Sequence, residues 1–245
     1  MAKIVFFTGA GISAPSGIKT FRASDGLWNE HKVEDVATLQ GFYKNPVMVN
    51  NFYNERRKDI TLAMPNIAHK MIAELSKEHE VNIITQNIDD LHERAGSDNV
   101  IHLHGLFNQM KCLMCQEKFI FNSEWENGCY CPFCLTDFKN VRPDIVWFGE
   151  SLNLQDFNKA EDICREAELF VQVGTSANVA PANKLIKRVK VRRKKVEINL
   201  VRSVPNRPFM FHNYYIGNVI NSFPDFVKDI PELLKLNEKG IFKKY

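Results

Sequence analysis

The chain has 245 residues, with 32 Lys and Arg against 29 Asp and Glu and a formal charge of +3 at pH 7. Hydrophobic residues make up 44% and charged residues 25%, which excludes a disordered or fibrous chain and fits one good-sized globular domain, or one domain with an elaborate insertion. The apolar run Ile4 to Phe7 is too short for a signal peptide, and no later stretch approaches the ~18 apolar residues of a membrane span, so the expectation is a cytoplasmic protein with no membrane partner.

In chain order, short apolar runs alternate with helical patterns, as in parallel β-α units. Strands are predicted at Lys3 to Thr8, Val81 to Thr85, Val100 to Leu103, Leu169 to Val173, Val196 to Asn199 and Phe209 to Tyr215. Helices are predicted at Asn66 to Glu78, at Asp90 to Ala95, around Asp156 to Glu166 and at Asp225 to Leu236, where Phe226, Ile230, Leu233 and Leu234 share a face. Two stretches interrupt the rhythm: Gly26 to Ile60, which reads as a loop followed by a helix, and Phe107 to Arg142, which holds most of the cysteines. Both are read as insertions that form a smaller second domain, with boundaries at 28–60 and 107–142, on an α/β core made of 1–27, 61–106 and 143–245.

The first strand runs into Gly9-Ala10-Gly11-Ile12-Ser13, a small-residue turn that would open a helix and bring backbone N–H groups to a pyrophosphate. Ala14 stands where a third glycine of the usual dinucleotide fingerprint would be, so this turn alone is weak. A second small turn, Gly174-Thr175-Ser176, follows the strand ending at Val173, and Asn199 ends another strand. In a parallel sheet these loops converge on one ligand beyond the carboxyl ends of the strands.

Cys112-x2-Cys115 and Cys131-x2-Cys134, fifteen residues apart, have the spacing of a four-thiolate zinc ribbon. Cys129 is a spare thiol that could replace Cys131, although the C-x2-C spacing and Pro132 favour Cys131. With four thiolates closing the tetrahedron, the zinc would be structural. Eight cations lie between Lys184 and Lys195. They could serve nucleic acid, but the plainer reading is a solvated helix end and turn before a strand.

The blocks Gly9 to Ser13, Thr20-Phe21-Arg22, Gln86-Asn87-Ile88-Asp89, His102-Leu103-His104-Gly105, Arg142-Pro143 with Phe148-Gly149-Glu150, and Gly174-Thr175-Ser176 together resemble the sirtuins, in that family's order. The resemblance implies a Rossmann-like parallel-sheet large domain with a smaller zinc-ribbon plus helical insertion domain. It implies NAD as co-substrate, one structural Zn2+, and an acyl-lysine protein or peptide bound in the cleft between the domains. It selects His104 over His102 as general base, an imidazole able to take a proton from a ribose hydroxyl near neutral pH. Asn87 and Asp89 match the residues that fix the ribose and the nicotinamide amide, although Asn and Asp there could simply cap the following helix. Thr20, Phe21, Arg22, Asp25 and Trp28 match the loop that closes over NAD, with Asn199, Leu200 and Val201 on the adenosine side. Val201 departs from relatives that carry Glu, which puts one ribose contact in doubt. Asp144 also departs from the closest bacterial pattern, without consequence for catalysis. Val146, Phe148, Gly149 and Glu150 match the lining of that family's acyl-lysine channel.

Tyr53 and Arg56, with Ala37 sixteen residues before Tyr53, look like the signature of desuccinylase-type sirtuins: a small residue widening the pocket, and a Tyr and an Arg gripping a carboxylate. A packed Tyr beside a surface Arg is the plainer alternative. The expected activity is removal of acetyl and succinyl groups from lysine by a monomer. The competing readings are an ADP-ribosyltransferase and a zinc-ribbon nucleic-acid-binding module; the latter leaves Gln86 to Asp89 and His104 without a role.

Overall fold

The computed structural model describes residues 1–20, 27–28, 30–176, 179–190, 192–203 and 210–235. Strand β1 (Lys3–Thr8) leads through two 3-10 turns to a hairpin of β2 (Leu27–Trp28) and β3 (His31–Lys32). Helices α1 (Val33–Val36), α2 (Leu39–Lys44) and α3 (Pro46–Leu62) follow, then α4 (Ile67–Leu75), β4 (Glu80–Thr85), α5 (Leu91–Arg94) and β5 (Val100–His102). The cysteine segment lies among β6 (Gly105–Cys112), β7 (Lys118–Ile120) and β8 (Val141–Ile145). The chain ends with α6 (Leu154–Glu166), β9 (Leu169–Val173), β10 (Lys194–Asn199), β11 (Asn213–Ile216) and α7 (Val219–Lys235).

Six strands form one parallel sheet in the order β11-β10-β9-β1-β4-β5. The chain winds outward from β1 in one direction through β4 and β5, then returns to the other side of β1 through β9. This is the doubly wound arrangement, whose ligand crevice opens between the two central strands where the winding reverses. Both faces are covered, as parallel sheets require. Ile4 and Phe6 point to one side, with Ile72 of α4 and Phe223, Phe226 and Ile230 of α7. Val5 and Phe7 point to the other, with Ala160 and Cys164 of α6 and Leu185 of a 3-10 helix. Burial pushes the Cys164 thiol up to about 12, so it packs as a small hydrophobe.

Three elements differ from the sequence reading. Helix α7 starts at Val219 and runs through Pro224, where the expectation begins after that proline. Its buried positions Val219, Phe223, Phe226, Ile230 and Leu233 repeat every three or four residues, and this apolar face outweighs the missing N–H. The strand expected at Phe209 to Tyr215 spans Asn213–Ile216, and Phe209 lies outside the described residues. The stretch before Ile60 holds a hairpin and two short helices, α2 being capped by the Thr38 hydroxyl on Gly41 N at 3.0 Å, as well as the long α3.

The two insertions pack on each other. Asn50 Nδ2 of α3 donates to Val141 O at 3.3 Å, Trp125 N donates to Asn54 Oδ1 at 2.8 Å, and buried Arg57 donates to Ser123 O at 3.1 Å. Burial lowers the Arg57 pKa to about 10. In the basic stretch 184–195, a 3-10 helix runs to Lys187 and β10 starts at Lys194; Arg188 pairs with Glu161 at 2.7 Å and Arg193 with Glu168 at 3.8 Å. Among the described residues, no helix is long and apolar enough to cross a membrane.

Candidate active site

The glycine turn meets the turn after β9 at the reversal of the sheet. Gly9 N donates to Val173 O at 3.0 Å and Gly11 N to Gly174 O at 2.8 Å. Gly174 has φ +60, and a Cβ there would stand 2.3 Å from Ile12 N; one on Gly11 would stand 2.7 Å from Gly174 Cα. These glycines therefore let two loops touch backbone to backbone. The segment after Gly9 is a pair of 3-10 turns, Ala10–Ile12 and Ala14–Ser16, in place of the helix that the small-residue turn suggests. Pro15 sits at the start of the second, and Gly17 closes it in the left-handed region at φ 90.

The loop after β4 lies alongside. Gln86 Nε2 donates to Thr175 Oγ1 at 2.9 Å, tying it to the β9 turn. Asn87 Nδ2 donates to Gly9 O at 3.2 Å and to Ser13 Oγ at 3.1 Å, tying it to the glycine turn. Asp89 is 3% exposed and accepts from Leu91 N, the first N–H of α5, at 3.2 Å, while Asp90 occupies the N-cap position without a side-chain capping bond. Burial raises its pKa to about 6, against the Ser13 hydroxyl, Leu91 N–H and His102, which lower it.

His102 ends β5 and His104 stands in the turn after it, in different environments. His102 sets Nδ1 on Asn87 O at 3.1 Å and Nε2 on Glu93 Oε1 at 2.6 Å. Both partners accept, so both nitrogens carry hydrogen. Burial lowers the His102 pKa, but Glu93 and the Asn87 carbonyl outweigh it and the net shift is upward. His104 uses only Nδ1, donating to Gln86 O at 2.9 Å. That bond fixes the tautomer and leaves Nε2 with its lone pair, while burial lowers the pKa despite the Gln86 carbonyl.

Beneath this loop lies a relay that the sequence reading missed. Thr8 and Thr85, the last residues of β1 and β4, pair in register, and Thr8 Oγ1 donates to Thr85 Oγ1 at 2.8 Å. Thr85 Oγ1 also accepts from Asn87 N at 3.1 Å, and His92 Nε2 lies 3.1 Å from Thr8 Oγ1. All three side chains are fully buried. Each threonine closes its strand, KIVFFT and EVNIIT, but nothing local to either strand joins the two to His92.

The loop after β8 joins His104 to the helical insertion. Val146 N donates to His104 O and Phe148 N to Ala37 O, each at 3.0 Å. Its shape is set by buried Arg142, which grips Glu150 with both terminal nitrogens at 2.5 and 2.9 Å and lies 3.5 Å from the Trp147 ring centre. Glu150 also accepts from Trp147 N at 2.8 Å. Its carboxylate is thus engaged in holding the loop, whereas Phe148 is 48% exposed. Gly149 turns the chain at φ 87.

Ala37 and Tyr53 are buried with Val36, Phe42 and Trp147. Tyr53 accepts from Trp147 Nε1 at 2.8 Å, which leaves its own hydroxyl hydrogen to donate. Trp28 packs edge-on against Phe52, ring centres 5.2 Å apart. One turn along α3, Arg56 borders an open cleft of about 540 Å³ shared with Ser16, Gly17 and Lys19. Tyr53 and Arg56 therefore lie on one side of α3, the first closed in by aromatic rings and the second at the cleft. Thr20 follows this cleft's edge in sequence; Phe21, Arg22 and Asp25 lie outside the described residues.

At the carboxyl end of β10, Asn199 Nδ2 donates to Thr175 O at 3.0 Å. Fully buried Glu197 accepts from Ser203 N at 2.7 Å, and Gln172 Nε2 donates to Ser203 Oγ at 3.1 Å. These bonds shape the loop from Asn199 to Ser203, while the Leu200 and Val201 side chains are 65% and 70% exposed. Asp144 faces Lys118 at 2.6 Å, on the zinc-module side of β8.

The Sγ atoms of Cys112, Cys115, Cys131 and Cys134 lie within 4.8 Å of one another, with Cys112 to Cys134 and Cys115 to Cys131 each at 3.7 Å. Tetrahedral Zn–S bonds of ~2.3 Å set the sulfurs ~3.8 Å apart, so this donor set fits zinc. Cys129 is outside the cluster and donates its thiol toward Glu124 O at 3.9 Å.

A doubly wound sheet, a crevice at its winding reversal, a histidine with a free nitrogen at the lip and an inserted four-cysteine module define a dinucleotide-using α/β enzyme with a structural metal. The Sir2 family profile matches residues 9–181. The NAD-dependent protein deacylase of Bdellovibrio bacteriovorus is 43% identical over 235 residues, 94% of this chain and 97% of that protein. The deacylase of Vibrio cholerae is 41% identical over 233 residues, 93% and 92% of the two chains. A solved Sir2 homologue bound to NAD superposes with TM-score 0.83 at 37% identity, over 94% of this chain and 90% of that one. A Sir2 complex with p53 peptide and NAD+ superposes with TM-score 0.75 at 30% identity, over 94% and 93%. The chain belongs to the Sir2 family, the sirtuins.

Proposed function

We propose that this sirtuin is an NAD-dependent protein-lysine deacylase that removes acetyl and succinyl groups, releasing nicotinamide, O-acyl-ADP-ribose and free lysine. The observation that carries the reading is the state of His104: Nδ1 bound to the Gln86 carbonyl and Nε2 free, on a residue whose own carbonyl holds the Val146 end of the loop.

When bound, NAD would supply an electrophilic ribose carbon, C1′, to the acyl-lysine amide oxygen with nicotinamide as the leaving group, and one water would be consumed as the acyl group passes to the ribose and lysine departs. His104 Nε2 would take a proton from a ribose hydroxyl and so make that oxygen a nucleophile toward the acyl group; burial lowers its pKa and keeps the imidazole neutral and ready to do so. Asn87 is fixed at its backbone by Thr85 and at its amide nitrogen by Gly9 and Ser13, which leaves Oδ1 as the orienting group. Phe148 and Val146 line the lysine channel. Ala37 leaves room for an acyl group longer than acetyl, Tyr53 offers a hydroxyl donor, and Arg56 meets a terminal carboxylate. Cys112, Cys115, Cys131 and Cys134 hold one zinc ion that supports the insertion and stays out of the chemistry.

The protein works in this reading as a cytoplasmic monomer on acyl-lysine proteins or peptides, without nucleic acid. Its test is NAD-dependent release of acetyl and succinyl from matched peptides. Turnover of both supports it; hydrolysis of NAD without deacylation of either overturns it.

A further inference from the structure

Arg56 already has a partner. Its Nη2 donates to Asp59 Oδ2 at 2.8 Å, and Glu55 Oε2 lies 3.8 Å from the same nitrogen. The other two nitrogens, Nε and Nη1, are buried without a hydrogen-bond partner. The Arg56 side chain is 8% exposed, while that of Asp59 is 46% exposed and borders the same cleft. A guanidinium so enclosed has five N–H groups to satisfy, and one carboxylate on one nitrogen leaves it under-paired. The cation is therefore held ready for a further anion, and Asp59 already draws on the field that anion would feel.

We infer that Asp59 is a specificity-determining residue of the acyl pocket: a resident counter-ion on Arg56 that competes with the terminal carboxylate of an acidic acyl-lysine. It holds the preference for acidic over neutral acyl groups below what Arg56 alone would give. This rests on the reading of Arg56 as the carboxylate partner. The carboxylate of Asp59 and that of the substrate would share one cation at separations of a few ångströms. At the effective dielectric of a partly exposed site, such a repulsion changes the succinyl-to-acetyl ratio of kcat/KM about three- to thirtyfold. Lys19 and Lys58 border the cleft too, so their charges are common to every variant.

The experiment measures kcat and KM on matched succinyl- and acetyl-lysine peptides for the wild type, Asp59→Asn, Asp59→Ser, Asp59→Glu and Arg56→Met, with melting temperature recorded for each. Asn keeps an acceptor for Nη2 and removes the charge, so the ratio should rise about three- to thirtyfold, mostly through KM of the succinyl peptide. Ser should move it the same way, and Glu should return it to within about twofold of wild type. An unchanged or lower ratio in both Asn and Ser, or a ratio that stays high in Glu, overturns the role of Asp59. If Arg56→Met still lowers the ratio in that case, the reading of Arg56 stands alone. Equal losses on both peptides in Arg56→Met remove the reading of Arg56 and this inference with it.

Discussion

His102 and His104 stand two residues apart, and their hydrogen bonds make them different acids. Two acceptors hold protons on both nitrogens of His102, while the single carbonyl on His104 Nδ1 leaves Nε2 basic. We expect His104→Ala to lower NAD-dependent deacylation by ~10²–10⁴ with zinc content and melting temperature kept; wild-type turnover in that variant would place the base elsewhere. Because burial lowers the His104 pKa, the active neutral form persists below pH 6.5, and kcat/KM should fall only on the acid side of that value. Asp89, raised to about 6, loses its charge in the same range, so a plot of log kcat/KM against pH should there exceed a slope of one. Arg56→Met should cost the succinyl peptide roughly ten- to a hundredfold in kcat/KM and the acetyl peptide much less, because only the former must bury a carboxylate.

At the scale of elements, the contact of the two small-residue turns is the most exacting feature. Gly174→Ala would force a side chain into the left-handed region and against Ile12 N, at a cost of at least ~2 kcal/mol. The expected result is a lower melting temperature and weaker NAD binding by calorimetry. In the zinc module, Cys131→Ser should lose the metal by elemental analysis and Cys129→Ser should keep it, as their places inside and outside the cluster require. The central strands and the cysteine pairs were legible because uninterrupted apolar runs and fixed ligand spacing are local signals. Strands β6 to β8 were not, since β6 carries a register shift between Gly105 and Met110 that breaks the alternation of inward and outward residues. Pro224 hid the first turn and a half of α7 for the reason that makes proline a useful stop signal elsewhere. The Thr8, Thr85 and His92 relay joins residues 77 and 84 positions apart, and no local pattern marks such a contact.

For the molecule as a whole, buried titratable groups set how stability follows pH. Burial lowers the His69 pKa to about 4 and puts His92 well below 6.5, with the neighbouring His69 and His102 charges acting on His92 in the same direction. A depressed histidine contributes stability that is complete above pH 6.5 and lost as pH falls toward its folded value. Asp89 and His102, both raised, act in the opposite sense: the first gains stability as pH falls from 6 toward 3.8, and the second loses its contribution as pH rises through its folded pKa. Both ring nitrogens of His69 are buried without partners, so His69→Leu removes a group that must charge on unfolding without breaking a hydrogen bond. It should raise the melting temperature at pH 5 relative to pH 7.5 by roughly 4–8 °C over wild type, from ~2 kcal/mol; an unchanged acid slope would assign the loss to other groups. The main-chain ties at the two ends of the 146–148 loop carry a further consequence. Val146 N on His104 O and Phe148 N on Ala37 O use backbone atoms only, so exchanging the side chains at 37 and 56 leaves both ties to the loop beside His104 in place, whereas a change at 53 also removes the Trp147 Nε1 bond. On the proposed reading, acyl preference at 37 and 56 is then a separable trait, open to drift among descendants or to recombination in the laboratory while the chemistry beside it is inherited unchanged.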